Sequence, residues 1–123
     1  MLKKKILFIE DEPEQIMMVS LRLEAHDYKI ISAGNGEEGL KKAEKENPNL
    51  ILLDLVMPKM DGAEVCRRLK ENPRTKDIPV IIITASGVKN LEQECLALGA
   101  KDVIHKPFES ADLVNKVKAL LER

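Results

Sequence analysis

Three short runs of consecutive apolar residues stand out along the chain, at residues 6–9, 50–53 and 80–83. In none of them do apolar and polar residues alternate. Strands that are apolar throughout are typical of parallel sheets that helices cover on both faces. Two weaker runs, 29–33 and 102–105, each predict a further strand.

A helical pattern follows each predicted strand. Pro13 suits the first turn of a helix, Gly36 precedes a segment with acids first and lysines later, and Ser110 is the expected N-cap of the last helix. The predicted inner faces are Ile16, Val19 and Leu23; Val65, Cys66 and Leu69; Leu91, Cys95 and Leu98; and Leu113, Val117, Leu120 and Leu121.

The pattern is therefore a strand followed by a helix, five times over. Such alternation predicts an α/β fold with a doubly wound parallel sheet, right-handed crossovers and helices on both faces. The length of 123 residues suggests one domain. Because the last predicted helix reaches residue 121, we expect residues 1–123 to form this domain with no output domain after it.

Composition and charge narrow the possible partners. Twenty basic and twenty-one acidic residues give a net charge of -1, which argues against nucleic acid as the main partner. No apolar run reaches the length of a signal peptide core or a membrane span, so we expect a cytoplasmic chain without a membrane partner. Cys66 and Cys95 are in no metal-binding spacing and are interpreted as small hydrophobic residues.

Polar residues follow or end four of the predicted strands. Glu10 and Asp11 follow the first strand, Asp54 follows the third, Thr84 the fourth, and Lys106 the fifth. The carboxyl ends of parallel strands lie along one edge of the sheet, where ligands of such folds bind. We therefore expect these five side chains to meet in one shallow crevice.

Three carboxylates in one crevice repel each other, by roughly 4 kcal/mol per pair at about 4 Å. One lysine cannot neutralise them, whereas Mg2+ or Mn2+ prefers such oxygen ligands. Asp54 is then a candidate nucleophile toward phosphorus, Lys106 offsets charge on the transferred group, and Thr84 donates a hydrogen bond to it. Asp61, before Gly62, is expected to be only a turn or capping residue.

Four segments carry a family resemblance: "ILFIEDEPEQ", "LILLDLVMPKMDG", "IPVIIITAS" and "VIHKPF". Together they resemble the signature blocks of the receiver domain of two-component response regulators, over essentially the whole chain. The resemblance implies a flavodoxin-like (βα)5 fold with strand order 2-1-3-4-5. It also implies a phosphorylation-switched signalling protein.

The resemblance assigns roles to the residues of the crevice. Asp54 would accept a phosphoryl group from a histidine kinase or a histidine phosphotransfer protein. Asp11, Asp54 and the backbone carbonyl of Val56 would bind Mg2+, and Glu10 would act through a metal-bound water. Lys106 would contact the phosphoryl group. The peptide bond between Lys106 and Pro107 would be cis, as is usual in this family.

Thr84 would be the switch hydroxyl of this family. The aromatic residue usual three positions before the lysine is here Val103, so a smaller movement of the loop 85–89 is the expected substitute. The face that would change lies on helix 4, strand 5 and helix 5, including Lys89, Glu92 and residues 101–106. It would bind an unknown downstream protein. A monomer is expected, with a dimer on phosphorylation as the alternative.

The chain is not expected to be an enzyme beyond its own phosphoryl transfer and slow autodephosphorylation, because apolar Val56 cannot orient a water. A Mg2+-dependent phosphatase is one alternative, but such enzymes place an acid where Val56 stands. A flavin- or nucleotide-binding protein is another, although residues 32–39 lack a phosphate-cradling pattern. A receiver that binds partners without phosphate is the third.

Overall fold

Strands and helices alternate along the whole of the chain that the computed structural model describes, residues 2–85 and 87–122. In this part of the chain there are five strands and five helices. They are β1 (Lys5–Ile9), α1 (Pro13–Glu24), β2 (Lys29–Ala33), α2 (Gly36–Glu46), β3 (Leu50–Leu53), α3 (Gly62–Glu71), β4 (Val80–Ala85), α4 (Lys89–Ala97), β5 (Asp102–Lys106) and α5 (Ser110–Leu121).

The strands form one parallel sheet in the order β2-β1-β3-β4-β5. This confirms the fold class and the strand order. The central strand β3 pairs with β1 on one side, where Leu50 lies opposite Ile6, and with β4 on the other, where Ile51 lies opposite Val80. The chain reverses direction across the sheet between β1 and β3, so the crevice at the carboxyl ends of these strands is the topological switch point.

The apolar runs are continuous because each strand packs on both faces. Leu50 and Leu52 of β3 belong to a cluster with residues of α1 and α5, whereas Ile51 and Leu53 belong to a cluster with residues of α2, α3 and α4. All four side chains are fully buried. Asp54 directly follows this strand, so its carboxylate lies at the edge of the apolar core.

Local sequence signals explain where most helices begin. Pro13 occupies the first turn of α1, and the side chains of Asn35 and Asp61 cap α2 and α3 by accepting backbone N–H groups. The prediction that Ser110 caps the last helix was wrong by one residue. Glu109 is the N-cap of α5, its side chain makes no capping hydrogen bond, and Ser110 is already helical.

Two strands extend beyond their predicted ends, β4 to Ala85 and β5 to Lys106. Residues 84–85 of β4 pair in register with residues 105–106 of β5, so the sheet continues past its apolar core. As a result, Thr84 and Lys106 are held by strand hydrogen bonding instead of by loops. Among the described residues, no helix has the length and apolar character to cross a membrane.

Candidate functional site

Three carboxylates meet at the carboxyl edge of the sheet. Glu10 and Asp11 follow β1, and Asp54 follows β3, the neighbouring strand. Each offers an oxygen, and these oxygens lie within 4.8 Å of one another. Glu10 and Asp54 are buried, whereas Asp11 is exposed. The structure therefore brings together the three acids that the sequence predicted to converge, with one of them open to solvent.

Lys106 bridges two of the acids from the end of β5. Its Nζ donates to Oε1 of Glu10 at 2.6 Å and to Oδ2 of Asp54 at 3.4 Å, and 15% of its side chain is exposed. Burial on its own would lower the pKa of Lys106, but the two acids outweigh it and the pKa is raised. Lys106 therefore remains a cation in the site.

Glu10 lies in the driest part of the cluster. Burial, with a smaller contribution from the charge of Asp54, raises the pKa of Glu10 to about 7. The hydrogen bond from Lys106, and one from the backbone N–H of Glu12 to Oε2 at 3.2 Å, act in the opposite direction without cancelling that rise. Lys106 alone thus does not supply enough positive charge for this set of acids, and a further cation at the site would stabilise them.

Asp54 is oriented by the loop that follows it. Its Oδ1 accepts a hydrogen bond from the backbone N–H of Val56 at 3.2 Å. The loop closes where the N–H of Gly62 donates to the carbonyl of Leu55 at 2.9 Å. A Cβ on Gly62 would lie 2.6 Å from the Cα of Leu55, so a side chain at this position would displace the loop.

Asp61, immediately before this glycine, caps α3 by accepting the N–H of Glu64 at 3.0 Å. It stays outside the group of acids, which confirms its interpretation as a capping residue.

Thr84 lies near the end of β4, on the strand next to β3. Its side chain is fully buried, and its Oγ1 has no hydrogen-bond partner within the described residues. A buried hydroxyl without a partner costs roughly 1–3 kcal/mol. Thr84 is therefore an unused donor at the same edge of the sheet as the acids.

A side-chain hydrogen bond between α4 and β5 was missed by the sequence analysis. The carboxylate of Glu92 contacts Nε2 of His105, the strand residue that lies opposite Thr84 in register. Only 7% of Glu92 is exposed, so its placement on the expected partner surface was wrong. Val103, two residues earlier on β5, is half-buried and packs on the core cluster. Nothing in the sequence links Glu92 to His105, because only the packing of α4 on β5 brings them together.

The peptide bond Lys106–Pro107 is cis, as the resemblance implied. The three acids of the cluster offer carboxylate oxygens as metal ligands, the ligand type that Mg2+ prefers. The chemistry of the residues therefore fits a hard divalent cation better than Zn2+, which is typically bound through histidine and cysteine.

Known proteins share both this sequence and this fold. The family model of the response regulator receiver domain matches residues 6–118. The chain is 40% identical over 122 residues to the alkaline phosphatase synthesis transcriptional regulatory protein PhoP of Bacillus subtilis, covering 99% of this chain and 50% of PhoP. It is 41% identical over 119 residues to the transcriptional regulatory protein ResD of the same organism, covering 97% of this chain and 48% of ResD. The chain thus spans about half the length of these curated relatives.

Solved structures give the same assignment. Chemotaxis protein CheY4 of Vibrio cholerae superposes with a TM-score of 0.89 at 29% identity, covering 96% of this chain and 98% of CheY4. The receiver domain of the sensor histidine kinase PA1611 of Pseudomonas aeruginosa, with a magnesium ion coordinated in its active site cleft, gives a TM-score of 0.89 at 25% identity and covers 98% of this chain and 99% of that domain. The chain belongs to the response regulator receiver domain family, the phosphorylation-switched signalling domains of two-component systems.

Proposed function

We propose that Asp54 is the phosphoacceptor of this receiver and takes its phosphoryl group from a histidine kinase or a histidine phosphotransfer protein. The convergence of three carboxylates at the sheet edge, two of them paired with Lys106, carries this proposal. A carboxylate oxygen of Asp54 attacks phosphorus, the bond from phosphorus to the donor imidazole nitrogen breaks, and an acyl phosphate forms. The N–H of Val56 and the ammonium of Lys106 hold the carboxylate in place for this attack.

The same residues would hold Mg2+, and Mn2+ has the same preference for oxygen ligands. Asp11, Asp54 and the backbone carbonyl of Val56 are the proposed direct ligands, and Glu10 would act through a water bound to the ion. The magnesium ion in the PA1611 receiver supports this choice of metal. When bound, the ion offsets negative charge on the transferred group.

Lys106 and Thr84 complete the proposed site. Lys106 is already within hydrogen-bond reach of Asp54, so it can donate to an oxygen of the phosphoryl group attached there. Thr84 is a buried donor with no partner in the described part of the chain and would gain one from the same group. A movement of Thr84 would pull on the segment 85–89 that leads into α4. Such coupling of a new anion to a loop is the general device of switching domains.

The proposed output is a change on the surface of α4, β5 and α5, which binds a downstream protein. Lys89 at the start of α4 is exposed and suits this surface, whereas Glu92 is buried. With Val103 in place of an aromatic side chain, we propose that the segment 85–89, of which residue 86 lies outside the described residues, carries the change. PhoP and ResD are transcriptional regulators about twice as long as this chain, so a DNA-binding region is one candidate target. We propose a monomer that is able to dimerise when phosphorylated.

Incubation of the chain with acetyl phosphate and Mg2+, followed by intact mass measurement, tests the proposal. We expect one phosphoryl adduct per chain. Its lability to hydroxylamine, which cleaves acyl phosphates, would identify the linkage. A chain that stays at its unmodified mass would contradict the phosphoacceptor role and favour a receiver that binds partners without phosphate.

The adduct should be long-lived, because the side chain at position 56 cannot hydrogen-bond the water that would hydrolyse it. Val56 is 54% exposed and apolar. Val56→Asn should shorten the phosphoryl half-life by roughly fivefold, the effect of one hydrogen bond of about 1 kcal/mol to that water. The measurement is loss of the adduct over time after removal of acetyl phosphate. Val56→Ile is the matched control and should keep the slow rate, whereas equal half-lives for wild type and Val56→Asn would contradict the prediction.

A further inference from the structure

Two buried cysteines contact each other between α3 and α4. Cys66 on α3 and Cys95 on α4 are both free and fully buried. The thiol of Cys66 donates a hydrogen bond to the backbone carbonyl oxygen of Cys95, with 3.8 Å between Sγ and that oxygen. The acidic site uses neither of them. The sequence analysis treated both as separate hydrophobic residues, and the packing makes them a pair.

The two thiols differ in acidity. The hydrogen bond from Cys95 lowers the pKa of the Cys66 thiol against the opposing effect of burial, and the charge of Lys70 lowers it further. The same hydrogen bond raises the pKa of Cys95, and burial adds to that rise. Of the two thiols, Cys66 is thus the one whose pKa is lowered. A thiolate is the nucleophilic form of cysteine.

The helix that carries Cys95 is the less firmly held of the two. α4 has nine residues, of which only Glu92 and Cys95 are buried, and its N-cap, Val88, makes no side-chain hydrogen bond. α3 of ten residues has five buried positions and a capping aspartate. Local opening draws on segments with few buried side chains. Opening of α4 would expose Cys95 to a small solute and would uncover Cys66, whose thiol contacts the backbone of Cys95.

We propose that Cys66 and Cys95 form a reversible disulfide with a peroxide as the oxidant, and that this bond fastens α4 to α3. The thiolate of Cys66 attacks one oxygen of hydrogen peroxide, the O–O bond breaks, and a sulfenic acid forms while hydroxide leaves and takes up a proton as water. The thiol of Cys95 then attacks that sulfur, the S–S bond forms, the S–O bond breaks, and a second water leaves with the thiol proton. Two thiols are oxidised and one peroxide is reduced. Exchange with a small dithiol reverses the reaction.

A bond between these helices would restrain α4. The consequence for signalling rests on the proposed function, because α4 belongs to the proposed output surface. Formation of the bond does not rest on it, since no phosphoryl group takes part. The experiment below measures the bond alone, so its failure would leave the phosphoacceptor proposal intact.

The folded chain is treated with hydrogen peroxide, quenched with catalase, denatured, alkylated with N-ethylmaleimide and weighed intact. We expect a monomer that has lost two hydrogen atoms and carries no alkyl group, a digest that contains the Cys66 peptide linked to the Cys95 peptide, and full return of two alkylation sites after dithiothreitol. The peroxide-treated Cys95→Ser variant should instead trap one dimedone adduct at Cys66.

Three results would overturn the proposal. They are two alkylated cysteines after peroxide treatment, a disulfide found only between chains, and oxygen added to the sulfurs without a bond between them. The measurement on the unchanged chain decides the matter even if the serine variant does not fold. A second comparison uses chain unfolded in urea before oxidation. Bond formation should be faster in the folded chain, because folding holds Cys66 against Cys95. Faster formation in urea would also count against the proposal.

Discussion

Asp54→Asn should leave the chain without any phosphoryl adduct under conditions in which the unchanged chain takes up one. Asparagine keeps the size of the side chain and the oxygen that accepts the N–H of Val56, but it lacks the anionic oxygen that attacks phosphorus. It also removes the negative charge opposite Lys106, so the fold is relieved of repulsion with Glu10. Intact mass after acetyl phosphate and Mg2+ is the measurement, and the adduct should fall below detection.

Asp61→Asn is the matched control for that variant. Asp61 is seven residues further on and outside the cluster of acids, and it caps α3 through its side-chain oxygen. Asparagine caps helices about as well as aspartate, so this variant should fold normally and take up the phosphoryl group like the unchanged chain. A phosphoryl adduct on Asp54→Asn would show that another carboxylate is the acceptor, with the exposed Asp11 the first to examine.

Both the fold and the cluster follow from features that the sequence displays directly. Because residues 50–53 are apolar without alternation, the strand has to be covered on both faces, and this requirement selects a parallel sheet. A parallel sheet has all its carboxyl ends at one edge, so residues as distant in sequence as Glu10 and Lys106 become neighbours, with 2.6 Å between Nζ and Oε1. Topology alone therefore predicted a site made from four strands.

Contacts that depend on how the helices pack could not be predicted from the sequence. Glu92 lies on a helix of charged and apolar residues, and its burial against His105 results from the position of α4 on β5. Cys66 and Cys95 have no sequence spacing that suggests a pair, since two different helices carry them. The start of α5 was misplaced by one residue because Ser110 is a strong capping type, whereas the chain after Pro107 already turns into the helix at Glu109.

Glu10 is buried whereas the adjacent Asp11 is exposed, and this difference has a structural cause. Glu10 directly continues β1, and its N–H donates to the carbonyl of Ala33 on β2 at 2.9 Å, so its side chain enters the interior. Asp11 has left the sheet and is open to solvent. This arrangement suits a site that a metal ion or a phosphoryl donor enters from solvent. The exposed acid is accessible to the incoming group, and the buried acid is held in place by the fold.

Removal of Mg2+ should slow phosphoryl uptake by at least about a hundredfold. Lys106 would then have to offset the negative charge of the acids without help from the metal ion. Two carboxylate oxygens as far apart as 4.8 Å repel by about 3.5 kcal/mol at an effective dielectric constant of about 20. That energy corresponds to more than two orders of magnitude in rate when an anionic phosphoryl donor approaches. The measurement is the initial rate of adduct formation with Mg2+ and with excess chelator.

Substitutions of two neighbouring acids test whether the proposed ligands cause the metal requirement. Asp11→Asn removes one proposed ligand and should raise the Mg2+ concentration needed for half-maximal uptake by at least about tenfold, since one charged ligand contributes well over 1.4 kcal/mol to binding a divalent ion. Glu12→Gln is the control, because Glu12 is exposed, adjacent and outside the cluster, and its Mg2+ dependence should match that of the unchanged chain. Equal uptake rates with and without chelator would mean that Lys106 alone balances the three acids, and the electrostatic basis of the site would then be wrong.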